Sequence, residues 1–169
     1  MTKEVDSIAL MQQGNYEAAR SGFKAQLEEN PTAINALHFY GMLSLILNDI
    51  ADGISYMSLS LSLAPDNPAF ISNTIQALEL LAHNKHNNAN KILSHQLIKA
   101  TKHHLPSAIT VAKFYLKKEQ AKNCLEVLTP YAASSFDVLF FKAIAHQLLS
   151  QKEAAQRTME RALICRPYH

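Results

Sequence analysis

The sequence predicts an all-α fold built from repeated helical hairpins, and three observations carry that prediction. The composition is globular, with 48% hydrophobic and 18% charged residues, and its four glycines and six prolines are too few for a sandwich of short strands. The stretch GNYEAARSGF, residues 14–23, sets a turn glycine before an aromatic, then small residues and a second aromatic at helical spacing, and Pro31 closes the run. The same arrangement returns at a period of about 34 residues, so each hairpin is one copy of a repeat. The 169 residues suffice for one domain with a sizeable core, expected over 1–169.

Five units follow in order, near 1–33, 34–67, 68–104, 105–135 and 136–169. In the first, GNYEAARSGF is the turn and second helix, while Asp6 occupies a place where a large apolar residue is expected, so the first helix should be frayed or shifted. One period on, Asn15-Tyr16 becomes Asp49-Ile50, Ala19 becomes Gly53, Phe23 becomes Met57 and Pro31 becomes Pro65. The third unit opens at Pro68 with Ile71, Ile75, Leu78 and Leu81 on one face. It is then broken by the Asn-rich HNKHNNANK, a turn about two residues too long, before Ala89, Leu93 and Gln96 resume the phase. The fourth, marked by Ala108, Ala112, Cys124 and Leu128, is slightly short and restores the register. In the fifth, Leu139, Ala143, Ala155, Met159, Ala162 and Pro167 match Leu37, Gly41, Gly53, Met57, Ser60 and Pro65 at an offset of 102, three full periods.

The pattern has a direct physical cause. Gly41, Ala112 and Ala143 on first helices, and Ala19, Gly53 and Ala155 on second helices, let backbones approach closely. Phe23, Met57 and Met159 fill the space between units, and the prolines cannot continue a helix. A single hairpin cannot bury its apolar face, so such units stack.

This pattern resembles the tetratricopeptide repeat over the whole chain. The second unit, INALHFYGMLSLILNDIADGISYMSLSLSLAPDN, carries Leu37, Tyr40, Gly41, Gly53 and Pro65 at that family's places. The resemblance implies a right-handed superhelical solenoid of about five units, whose first helices line a concave groove that holds a peptide or a partner helix. Carried across, the groove positions are Ile8 and Met11; Asn35, His38, Met42 and Leu45; Ser72, Gln76 and Glu79; Ile109, Lys113, Leu116 and Lys117; and Phe140, Ile144 and Gln147. The implied function is protein–protein interaction, as a scaffold, adaptor or chaperone-like module. Met42, Leu45, Phe140 and Ile144 would be apolar anchors with His38 beside them, and Lys113 and Lys117 would favour an acidic residue near the middle. A subset of the family grips chaperone peptides by their carboxylate with Lys and Asn. Here Glu4, Ile8 and Phe39 stand at those places and only Asn73 fits, which excludes that activity. The alternative is the non-catalytic repeat module of a larger bacterial glycosyltransferase or sulfotransferase, which DNPAFISN after the second unit resembles.

Other function classes find little support. No P-loop, GxSxG or GxGxxG occurs, and no base partner is evident for Cys124, so no enzyme and no cofactor are expected. His83 and His86 would have ligand spacing only on a helix, and the Asn-rich sequence there argues for a turn, so no metal is expected. Residues 1–68 carry a net charge of −5 and residues 69–169 a net +7, most of the excess lying between Lys85 and Lys122; a solvated face explains this better than an acidic partner. Lys113, Tyr115, Lys117 and Lys118 are a faint basic-aromatic cluster, but Tyr115 falls in a core phase, so nucleic-acid binding is not expected. The start, MTKEVDSIALMQQ, has acids and no long apolar run, and no stretch reaches membrane-spanning length; a cytoplasmic protein is expected. Cys124 and Cys165 both fall on faces expected to be buried. The last unit exposes Leu163 and its neighbours, so either further chain or a second copy should cover it, which makes self-association an expectation.

Overall fold

The computed structural model describes residues 3–131 and 135–166. Among these residues there are ten α-helices and no strand: α1 (Lys3–Gln12), α2 (Tyr16–Glu29), α3 (Ile34–Ile46), α4 (Ile50–Leu63), α5 (Pro68–His83), α6 (Asn87–Ala100), α7 (Leu105–Lys117), α8 (Ala121–Leu128), α9 (Phe136–Leu148) and α10 (Lys152–Cys165), with one 3-10 turn at Thr101–His103. Consecutive helices pack as hairpins, α1 with α2, α3 with α4, α7 with α8 and α9 with α10. The side-chain amide of Asn90 ties α6 to α5 by donating to the Leu78 carbonyl at 2.7 Å. The chain divides into two compact units, Met1–Leu97 and Ile98–His169.

The backbone itself carries the repeat. Gly14, Asn48, Lys85, Glu119 and Ser150 all have positive φ, between 57° and 78°, each just after the first helix of a hairpin. In every case that residue's N–H returns three residues to a helix carbonyl, and the next N–H returns five: Gly14 to Met11 and Asn15 to Leu10, then Asn48 to Leu45 and Asp49 to Ser44, and so on to Ser150 to Gln147 and Gln151 to His146. Five times the same motif satisfies the orphan carbonyls of a helix end and reverses the chain. Only Gly14 adopts this conformation without a side-chain penalty.

These turns locate the irregularity in the repeat. They lie 34, 37, 34 and 31 residues apart, so three residues are gained and then three lost, not two. Within the Asn-rich stretch only residues 84–86 form a turn, an ordinary one, and Asn87 already opens α6. The added residues lengthen α5 to 16 residues against 13 in α3, and the loss falls after the α7/α8 turn, where α8 has only eight. α5 also begins sharply, because the Asn67 side chain accepts from the N–H groups of Ala69 and Phe70 at 3.0 and 3.3 Å and Pro68 occupies the first turn.

Within Met1–Leu97 the α3/α4 crossing needs glycine. A Cβ on Gly41 would lie 2.7 Å from the Met57 backbone nitrogen, and one on Gly53 would lie 2.3 Å from Leu45 Cδ2. Gly22 makes a similar approach to Ser7, a crossing that the sequence pattern assigned to Ala19 alone. Ser7 is buried there and accepts from the Gln26 amide at 3.2 Å, and α1 is helical from Lys3 with Asp6 exposed in solvent. The first helix therefore forms despite Asp6, which points away from the core. Cys124 is buried, and burial pushes its thiol up to about 12. Cys165 is half-buried, contrary to expectation. Pro167 lies outside the described residues.

Candidate interaction surface

The positions expected to form the groove divide between the two units. In Met1–Leu97, Ile8 and Met11 are half-buried and rest on a cluster formed by Ala19, Phe23, Ala36, Tyr40 and Leu43. Met42 is half-buried, and Asn35, Ser72, Gln76 and Glu79 lie at open positions of α3 and α5, all four exposed.

His38 and Leu45 are core residues and not free groove surface. Leu45 is buried at the α3/α4 crossing, against the open face of Gly53. His38 is 0% exposed because α5 covers it. Its imidazole stacks on Phe70 with ring centroids 3.9 Å apart and planes 9° from parallel, and Phe39 meets its edge at 5.7 Å. Both ring nitrogens are satisfied. The Ser60 hydroxyl donates to the Met57 carbonyl at 2.8 Å, so it accepts from His38 Nδ1–H at 3.0 Å. Nε2 then accepts from the Asn73 amide at 3.2 Å. This chain of bonds specifies the neutral tautomer carrying its hydrogen on Nδ1, and burial pushes the pKa of His38 down to about 4. Asn73, the one residue resembling a peptide clamp, is occupied in holding that ring. The resemblance to the tetratricopeptide repeat placed His38 in the groove. It carried no sign that α5 would bring Phe70 and Asn73 over it.

In Ile98–His169 the corresponding line stays more open. Lys113, Lys117 and Gln147 are exposed, and Ile109, Leu116, Phe140 and Ile144 are half-buried. Structure adds Phe141, which the sequence pattern did not select. The ammonium of Lys113 on α7 lies over the Phe141 ring at 5.6 Å from its centroid, linking the two first helices of this unit. Phe140 stacks on Phe136 at 5.5 Å and meets Phe141 edge-on at 5.5 Å, and the Arg166 guanidinium lies over Phe136 at 5.5 Å. Tyr115 is buried, as its phase implied. Lys142 donates to the Tyr131 carbonyl at 3.5 Å, and desolvation, with Arg161 nearby, lowers its pKa.

Ile144 and Gln147 also border a second feature. An open concavity of about 500 Å³ lies between α9 and α10, lined by Ala143, Ile144, Gln147, Leu148, Lys152, Ala155, Gln156 and Met159. Leu148, Leu163 and Ile164 are 46%, 59% and 81% exposed and continue apolar surface along these two helices.

No group of three or more His, Cys, Asp or Glu among the described residues could hold a metal ion. Among them, too, no helix is long and apolar enough to cross a membrane.

No family model matches the chain, and no curated protein matches it in sequence. Solved structures do. A tetratricopeptide protein from Thermus thermophilus shares 17% identity at a TM-score of 0.47, over 98% of this chain and 90% of that one. One from Parabacteroides merdae shares 12% at 0.47, over 96% and 64%. MamA shares 11% at 0.44, over 94% and 93%. The chain has a tetratricopeptide-like fold of helical hairpins, carried by its own five identical turns and close helix crossings.

Proposed function

We propose that the protein is an interaction module that captures an apolar segment of a partner protein on its first-helix faces. Phe140 and Ile144 are the anchors in Ile98–His169, and Met42 is the anchor in Met1–Leu97. The observation that supports this most is the half-open state of Phe140 and Ile144 beside a concavity of about 500 Å³. Large apolar side chains at such positions lose water when a partner covers them, at roughly 25 cal/mol per Å² of apolar area. Leu45 and His38 contribute through rigidity, by fixing α3 against α4 and α5.

The test is affinity capture from the native cell extract with the wild-type chain, Met42→Glu and Phe140→Glu, alongside circular dichroism. A partner recovered by the wild type and lost from Phe140→Glu, with helical signal unchanged, is the expected result. Equal recovery from all three proteins would move the binding surface elsewhere, and unfolding of both variants would make these side chains core.

A further inference from the structure

We infer that the α7/α9 face of Ile98–His169 takes an acidic protein segment, its carboxylates meeting Lys113 and Lys117 and its apolar side chains lying on Phe140 and Ile144. This rests on the interaction reading above and specifies the chemistry of the partner.

The first support is the placing of two lysines, within a charge excess that a solvated face alone would explain. Residues 98–169 hold eleven Lys and Arg against five Asp and Glu, whereas residues 1–97 hold five against nine. Lys113 and Lys117 are one helical turn apart on α7, so they share a face, and both are exposed. Neither has a carboxylate partner among the described residues; Lys113 lies instead over an aromatic ring. Two cations beside a half-open apolar strip attract a chain that alternates carboxylates with apolar groups.

The second support separates a protein from a nucleic acid. A single-stranded nucleic acid on such a face would need open aromatic faces on which bases stack. Here each ring already has a face or an edge engaged. Lys113 lies over Phe141, Arg166 lies over Phe136, and Phe140 is stacked on Phe136. The half-open rings present limited area, better matched to an aliphatic group than to a stacked base. Of the two aromatics in the basic stretch, Tyr115 is buried and Phe114 is half-buried with its ring tilted against Tyr115 at 5.2 Å.

The experiment measures fluorescence anisotropy with the full chain and three probes: a labelled amphipathic peptide of Glu, Ala and Leu, its counterpart with Lys in place of every Glu, and an oligothymidine. The wild type should bind the acidic peptide in preference to the other two, more weakly as salt rises. The double variant Lys113→Glu, Lys117→Glu should weaken the acidic peptide about tenfold and strengthen the basic one, an exchange that misfolding cannot produce. Ile144→Glu should weaken the acidic peptide at unchanged helical content. Preference of the wild type for the basic peptide, or oligothymidine displacing the acidic peptide through the two lysines, overturns the inference and leaves the groove reading standing. Acidic-peptide binding that ignores the lysine and Ile144 substitutions overturns both.

Discussion

His38 and Phe140 occupy the same place in two hairpins, 102 residues apart, and meet opposite fates. On α3, within Met1–Leu97, the side chain is sealed by α5, clamped between Phe70, Ser60 and Asn73. On α9, within Ile98–His169, it stays half-open beside Ile144. The neighbouring positions follow suit. Leu45 is buried where Gln147 is exposed, and Leu61 is 1% exposed where Leu163 is 59% exposed. The crossings differ as well: glycine against glycine on α3/α4, alanine against alanine on α9/α10, so the first pair approaches more closely than side chains allow. One repeat pattern thus yields a polar-locked, covered hairpin in one unit and a more exposed one in the other. The lesson is that repeat position fixes which face a residue occupies, and the helix packed on that face decides whether it is structure or surface.

The largest expected effect that would break this contrast is the pH response of the His38 lock. Its folded pKa, about 4, lies below the ordinary 6.5, so between those values the unfolded chain takes up a proton that the folded chain refuses. The stability it contributes is whole above pH 6.5 and is lost as pH falls toward 4, amounting to about 3 kcal/mol. Among the described residues, Ser60, Asn73, Phe39 and Phe70 surround the ring, and none of these is charged. Urea unfolding at successive pH values should show that loss. His38→Phe, which makes α3 resemble α9, should flatten the slope in this window while lowering stability at pH 7, because the Asn73 amide loses its partner. An unchanged slope in His38→Phe would show that the lock does not exist.

Crossing geometry should give the next effect. Gly41→Ala meets the backbone nitrogen of Met57 and should cost about 2 kcal/mol, despite the better helix propensity of alanine. Gly53→Ala meets mainly the flexible end of Leu45 and should cost less. Ala143→Gly removes a buried methyl as well as helix propensity and should cost at least about 1 kcal/mol. Hydrogen exchange of α3 and α9 amides in the three variants would read these unit by unit, and a stabilising Gly41→Ala would show that the α3/α4 approach is not as close as described.

The smallest effect belongs to the surface. Arg20 and Asp49 form an ion pair at 3.3 Å with side chains 29% and 44% exposed, so Asp49→Asn should cost under about 1 kcal/mol and the loss should shrink with added salt. A larger, salt-independent loss in thermal unfolding would give Asp49 a role in the α3/α4 turn instead.

Much of this was legible in the sequence. The period of 34, the small residues at Gly41, Gly53, Ala143 and Ala155, and the turn at Gly14 specified the hairpins, since they report local conformation and close approach. The lengthening of α5 was misplaced into the Asn-rich turn, because three residues added to an amphipathic helix leave no turn signal, while asparagines do. The surface was less legible. The resemblance put His38 and Leu45 in the groove and periodicity set them on one face of α3, but neither carried a sign of the Phe70 ring stacked on one and the α4 crossing over the other. Phe141 was passed over because its contact with Lys113 spans two helices and leaves no mark in either one alone.

The most direct test of the central claim, that the open face of α9 is a working surface, is site-specific photo-crosslinking in the native cell. A benzophenone amino acid would replace Phe140 in one protein and Arg157, exposed on α10, in another. The predicted result is a discrete cross-linked partner from position 140 that disappears when Lys113 and Lys117 are changed to Glu. A partner captured from position 157 and not from position 140 would contradict it.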